Sequence, residues 1–149
     1  SIFGNVFEKT ESVAVKVFKL KPFKDFDDIV SKMLNIYESY DKDKILEILN
    51  SHPELAVEKK LTTESELEQT SANLNECSEE EYEEFRKLNI EYKSKFGFPF
   101  IIAVKGKNKN EILINFKKRI QNDLNNEFFE AKNQVKKIAS FRLKDILSI

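Results

Sequence analysis

The sequence predicts a mostly helical domain built on one core, and three observations carry that expectation. Its 149 residues, 40% hydrophobic and 34% charged, suit a single compact core. Apolar residues recur with a 3.6-residue period over several stretches. Only one stretch, Val13-Ala14-Val15-Lys16-Val17-Phe18, alternates as a strand would, and a lone strand would leave its backbone groups unpaired. That stretch is therefore expected as helix or extended chain.

The elements follow in order. From Lys24 to Glu38, Phe26, Ile29, Val30, Met33, Leu34 and Tyr37 share one helical face. Ile45, Leu46, Ile48 and Leu49 form a shorter patch, and Pro53 ends that helix near Asn50 to Ser51. Thr63-Glu64-Ser65-Glu66 reads as a capping box before a helix reaching about Leu74. Ser78-Glu79-Glu80-Glu81 reads as a second, before a helix carrying Tyr82, Phe85, Leu88 and Tyr92. Asn110 is placed to cap a long pattern through Ile112, Leu113, Phe116, Ile120 and Leu124 to Phe128, Ala131, Val135 and Ile138, with a break expected near Asn125-Asn126. No linker-like composition or internal period interrupts the chain.

Scarce residue types exclude several functions. One histidine (His52) and one cysteine (Cys77) allow neither an intrachain disulfide nor a Cys/His zinc framework. The glycines, Gly4, Gly97 and Gly106, form no phosphate-binding loop. With 25 basic against 26 acidic residues, the cationic excess that drives nucleic-acid binding is missing. The opening residues from Ser1 do not read as a signal peptide, and Phe98 to Val104, the longest apolar run, is far short of the roughly 20 residues that span a bilayer. Ile146-Leu147-Ser148-Ile149 is not a Ser-Lys-Leu peroxisomal address, so a reduced cytoplasmic setting without membrane partners is expected.

Three segments hold the candidate chemistry. In Ile48 to Ala56, Pro53 restricts His52 to a helix-to-loop corner, where an imidazole can exchange protons near neutral pH or simply cap a helix by bonding a carbonyl. On a helix, Ser65, Glu68 and Gln69 project from one face and offer a hydroxyl, a carboxylate and an amide, either to a small polar heterocycle or to solvent. Lys95-Phe96-Gly97-Phe98-Pro99-Phe100-Ile101-Ile102-Ala103-Val104 is a rigid apolar segment, read either as pocket-lining backbone or as a buried connector. Cys77 reads as structural, and the acidic run Glu79 to Glu84 as a helix start.

Read together, the segments His52-Pro53-Glu54-Leu55-Ala56, Leu61-Thr62-x-x-Ser65-x-x-Glu68-Gln69, Lys95-Phe96-Gly97-Phe98-Pro99-Phe100, Arg119-x-x-Asn122 and Ile138-x-x-x-Arg142-Leu143 occur in an order that resembles the OHCU decarboxylase family. OHCU is 2-oxo-4-hydroxy-4-carboxy-5-ureidoimidazoline, an intermediate of urate degradation. Phe3-Gly4-Asn5-Val6-Phe7-Glu8 and Pro22-Phe23 extend the likeness over essentially the whole chain.

The resemblance implies an all-α fold, a compact single-domain helical bundle over residues 1–149, with no cofactor and a homodimeric assembly. It implies conversion of OHCU to (S)-allantoin and carbon dioxide, with His52 as proton donor and Glu68 and Arg142 completing the catalytic set. Pro53, Ser65, Glu66, Leu67, Glu68, Gln69 and the backbone of Phe100, Ile101, Ile102, Ala103 and Val104 are implied to line the substrate site. A transthyretin-like hydroxyisourate hydrolase is the implied partner in the same pathway.

The chain also departs from the family pattern. It opens close to the Phe-Gly motif, so an N-terminal family helix is expected to be missing or shortened. Lys9-Thr10-Glu11-Ser12 stands where the family often has His and a Pro-Trp pair, and Asn73 stands where a glycine is common. The alternative reading is a catalytically inactive module that kept the fold to bind a partner or metabolite. The presence of His52, Glu68 and Arg142 argues against it.

Overall fold

The computed structural model describes residues 3–56 and 61–147, the last of these by its backbone alone. Ser1, Ile2, Ser148 and Ile149, which figure in the reading of the chain ends, lie outside the described residues. Among the described residues the structure is all-α, with seven helices and no strand. None of these helices is long and apolar enough to cross a membrane. The chain divides into two compact units, Ser1–His52 with Val135–Ile149, and Pro53–Gln134.

The first unit holds α1 (Ser12–Phe18), α2 (Phe26–Ser39), α3 (Lys42–Asn50) and the later part of α7 (Leu124–Leu147). The alternating stretch is helical because burial follows the helical spacing: Val13, Ala14 and Val17 are buried, whereas Val15 is 51% exposed. In α2 the expected face is present, with Met33 and Tyr37 fully buried and Phe7 stacked on Tyr37 at 4.9 Å. Its first turn is closed from both sides, since the Asp25 carboxylate accepts from the Asp28 N–H at 2.9 Å and Asp28 accepts from the Lys24 N–H at 3.0 Å. α3 is capped by Asp41 and ends at Asn50, where the sequence expects it to end.

The second unit holds α4 (Thr63–Ser71), α5 (Glu79–Phe96), α6 (Lys109–Arg119) and the start of α7. Thr62, not Thr63, caps α4, its hydroxyl accepting from the Ser65 N–H at 3.2 Å. α4 also stops short of Leu74. The Leu74 N–H bonds the Gln69 carbonyl and the Asn73 N–H bonds the Thr70 carbonyl, a Schellman ending with Asn73 in the left-handed region at φ 61°. Asparagine tolerates this conformation better than most residues, so it can occupy a position where glycine is common.

The Ser78–Glu81 capping box forms as expected. α5 ends on Gly97 at φ 81°, which turns the chain into the Phe98–Val104 segment. Asn108, not Asn110, caps α6. The long pattern breaks over residues 120–123 instead of at Asn125-Asn126, because Asp123 restarts the helix: its carboxylate accepts from the Asn126 N–H at 2.8 Å.

Candidate functional site

In the first unit, α3 delivers His52 just past its C-terminus. The Nδ1 atom lies 2.9 Å from the Ile48 carbonyl oxygen. A carbonyl can only accept, so Nδ1 carries the hydrogen and Nε2 presents a bare lone pair. The ring is buried, at 7% exposure, and Nε2 has no hydrogen-bond partner among the described residues. Burial pushes the imidazole down from its usual range to about 4. The Ile48 bond and the Glu8 carboxylate oppose that fall, and the Arg142 guanidinium adds to it. At neutral pH the ring is therefore uncharged, with its accepting nitrogen fixed in place.

Arg142, on α7, belongs to the same unit. Its Nη2 pairs with Glu8 Oε2 at 3.1 Å and its Nη1 donates to the Asn5 carbonyl at 3.0 Å. The turn carrying Glu8 is tied by Asn5, whose side-chain oxygen accepts from the Lys9 N–H at 2.7 Å and whose Nδ2 lies 3.5 Å from Glu8 Oε1. Lys9 takes a left-handed backbone, φ 49°, which leaves its own side chain exposed beside the buried Glu8. Glu8 was legible only as part of the Phe-Gly motif; an acidic residue flanked by buried Phe7 and Thr10 is the signal that marks it.

In the second unit, Pro53–Ala56 follows His52 in the chain and is held by two amide side chains. Gln69 Oε1 accepts from the Ala56 N–H at 3.0 Å while its Nε2 donates to the Glu54 carbonyl at 3.2 Å. Asn89 Nδ2 donates to the Leu55 carbonyl at 3.1 Å. Three consecutive residues are thus pinned, including Ala56 in the left-handed region at φ 52°. Of the predicted helix face, Ser65 and Gln69 are buried and Glu68 is half-buried; Glu66 and Leu67 are exposed, Leu67 at 66%. Both ends of the Gln69 amide serve the backbone of residues 54–56. Sequence reading missed Asn89, although a polar residue in the Phe85, Tyr92, Phe96 stripe was a visible signal.

Phe100, Ile101, Ile102, Ala103 and Val104 are all buried and belong to no helix. Backbone groups of this segment find distant side chains: Arg119 Nη1 donates to the Ile101 carbonyl at 2.5 Å, and Gln134 Oε1 accepts from the Ala103 N–H at 2.9 Å. Arg119 stacks over the Phe100 ring at 4.4 Å. Its Nε donates to Glu127 Oε1 at 2.7 Å, and the same carboxylate accepts from the Tyr92 hydroxyl at 2.5 Å and from Asn122 Nδ2 at 3.0 Å. The Arg119-x-x-Asn122 motif therefore grips one buried carboxylate. Among the described residues no group of three His, Cys, Asp or Glu is placed to hold a metal ion.

Comparison with known proteins identifies the family. The model of the family described as OHCU decarboxylase matches residues 1–144. The chain is 36% identical over 146 residues to a 2-oxo-4-hydroxy-4-carboxy-5-ureidoimidazoline decarboxylase of Haloferax volcanii, covering 98% of this chain and 87% of that protein. It is 40% identical over 145 residues to a uric acid degradation bifunctional protein of Bacillus sp. (strain TB-90), covering 97% of this chain but spanning only 29% of that relative. A crystal structure of OHCU decarboxylase determined in the presence of (S)-allantoin superposes with a TM-score of 0.82, covering 100% of this chain and 99% of the other at 23% identity, and so shares the fold. This chain belongs to the OHCU decarboxylase family.

Proposed function

We propose that this protein is a carboxy-lyase that converts OHCU to (S)-allantoin and carbon dioxide without a cofactor, with His52 as the proton donor. The observation that carries this reading is the state of His52: a buried, uncharged imidazole whose Nδ1–H is fixed on Ile48 and whose Nε2 is bare. Family membership supplies the substrate. Loss of carbon dioxide leaves an electron pair on the ring carbon, which the adjacent ring imine can take up, its nitrogen gaining a proton from solvent, so the substrate is its own electron sink. The hydroxyl on that carbon then becomes a carbonyl as its proton leaves, and the neighbouring carbon must gain a proton on one face. A neutral imidazole accepts the first proton at Nε2 and, as imidazolium, delivers one to carbon. This general acid–base role is worth about 10²–10⁴-fold in rate.

The family motifs support assigning Glu68 and Arg142 to catalysis beside His52, with Pro53, Ser65, Glu66, Leu67, Gln69 and the backbone of residues 100–104 as substrate contacts. The same reading includes a single domain over residues 1–149, a homodimer in the cytoplasm, and a hydroxyisourate hydrolase that supplies the substrate. The Bacillus relative, matched over 29% of its length, is a uric acid degradation bifunctional protein, which supports a place for this chain in urate degradation. The test is to generate OHCU from urate enzymatically, add this protein, and follow allantoin by circular dichroism. Accelerated appearance of one enantiomer is expected. A rate and racemic product equal to spontaneous decay would overturn the reading. His52→Asn should remove most of the activity while keeping the helical far-UV signal.

A further inference from the structure

We propose that Glu8 is a positioning residue of the His52 site: its buried carboxylate holds the Arg142 guanidinium and balances its charge beside the imidazole. The proposal deepens the decarboxylase reading and rests on it for its catalytic consequence, but its electrostatic content stands on the structure.

Glu8 is 0% exposed and Arg142 is 4% exposed, and they pair at 3.1 Å although 134 residues separate them. Burying such a pair takes two ions out of water, and pairs of this kind are often matched in stability by apolar residues of the same volume. Stability alone is thus a weak reason for this one. The construction around it is specific: Asn5 fastens the turn, Lys9 accepts a left-handed backbone, and the Thr10 hydroxyl donates to the Glu8 carbonyl at 2.9 Å.

The pair also acts on the only histidine of the chain, the carboxylate favouring its protonated form and the guanidinium opposing it. The charged residues of α3 itself, Lys42, Asp43, Lys44 and Glu47, are exposed or half-exposed, so Glu8 and Arg142 are the buried charges that His52 feels. If Arg142 stood beside His52 alone, an imidazolium formed during turnover would meet an unbalanced cation in a medium that screens little. With Glu8 in place the two effects oppose each other, and the ring can carry a proton transiently without expelling Arg142.

The test uses the intact protein and the fact that it has one histidine. The ring resonances of His52 are followed by NMR from pH 8 down to about pH 2 in the parent, Glu8→Gln, Glu8→Asp and the double variant Glu8→Gln/Arg142→Gln. Glu8→Gln should lower the titration midpoint by about one pH unit. Glu8→Asp should restore it, and the double variant should lie within half a unit of the parent. In turnover, Glu8→Gln should lower kcat about tenfold with little change in KM. A folded Glu8→Gln with an unmoved midpoint overturns the proposal. Should Glu8→Gln fail to fold, the double variant decides: a midpoint more than half a unit from the parent also overturns it. The titration reads the balance whether or not OHCU is the substrate, so its failure is distinct from failure of the decarboxylase reading.

Discussion

Lowering the pH from 7.5 to 4.5 should cost the folded chain about 2–3 kcal/mol through His52 alone. In the unfolded chain the imidazole binds its proton near its ordinary value of 6.5; in the folded chain burial holds that step down to about 4. Between those values the unfolded state binds a proton that the folded state refuses. The stability tied to the neutral ring is therefore complete above about pH 6.5, falls with decreasing pH, and is lost once pH drops through about 4. At about 1.4 kcal/mol per pH unit, the whole interval amounts to about 3 kcal/mol, most of it spent by pH 4.5. The assay is urea unfolding at pH 7.5, 6.0 and 4.5, comparing the parent with His52→Asn. Carboxylates titrate in both proteins, so the difference between them isolates the ring. The parent's midpoint should fall by about 1–3 M urea more than the variant's, for a slope of roughly 1–3 kcal/mol/M. Equal falls would refute the reasoning, since they would mean that His52 is not held neutral by burial.

Two further perturbations test the scaffold. Gln69→Leu leaves the Ala56 N–H and the Glu54 carbonyl without their partners and should cost about 1–3 kcal/mol. Chemical denaturation checks the loss, and faster amide exchange at Ala56 should show that it is local. Glu127→Gln takes the charge from the carboxylate shared by Tyr92, Arg119 and Asn122, leaving a buried guanidinium unbalanced. A loss of about 3–5 kcal/mol and a fall in melting temperature of about 10 °C are expected by calorimetry; a loss under about 1 kcal/mol would show that Arg119 finds another partner.

Much of the architecture was legible because helices are encoded locally. The apolar face of α2, the end of α3 and the Ser78–Glu81 box lie within a few residues of their cause. The errors were in boundaries decided by competition between neighbours. Thr62 and Thr63 both suit a cap, as do Asn108 and Asn110, and in each case the earlier residue takes the role. His52 was legible as a candidate from its scarcity and its proline. Its protonation state was not, because that depends first on burial and then on Glu8 and Arg142, separated in sequence by more than a hundred residues and brought together only by the fold. The amide clamp escaped notice for the same reason: nothing local in Gln69 or Asn89 announces that its partner is the backbone of residues 54–56.

The Phe98–Val104 segment borrows its order from residues that follow it. Its carbonyl and N–H partners, Arg119 and Gln134, lie 18 and 31 positions downstream of the groups they hold. During synthesis this stretch therefore emerges before anything that can satisfy its backbone. Until Arg119 and Gln134 follow it out of the ribosome, the chain carries an uncharged strip of phenylalanine, isoleucine and valine, the composition that pairs most readily with another copy of itself. Pro99, which cannot donate a ladder hydrogen bond, interrupts that strip near its start. A residue explained in the finished protein by rigidity thus also guards the nascent chain against aggregation.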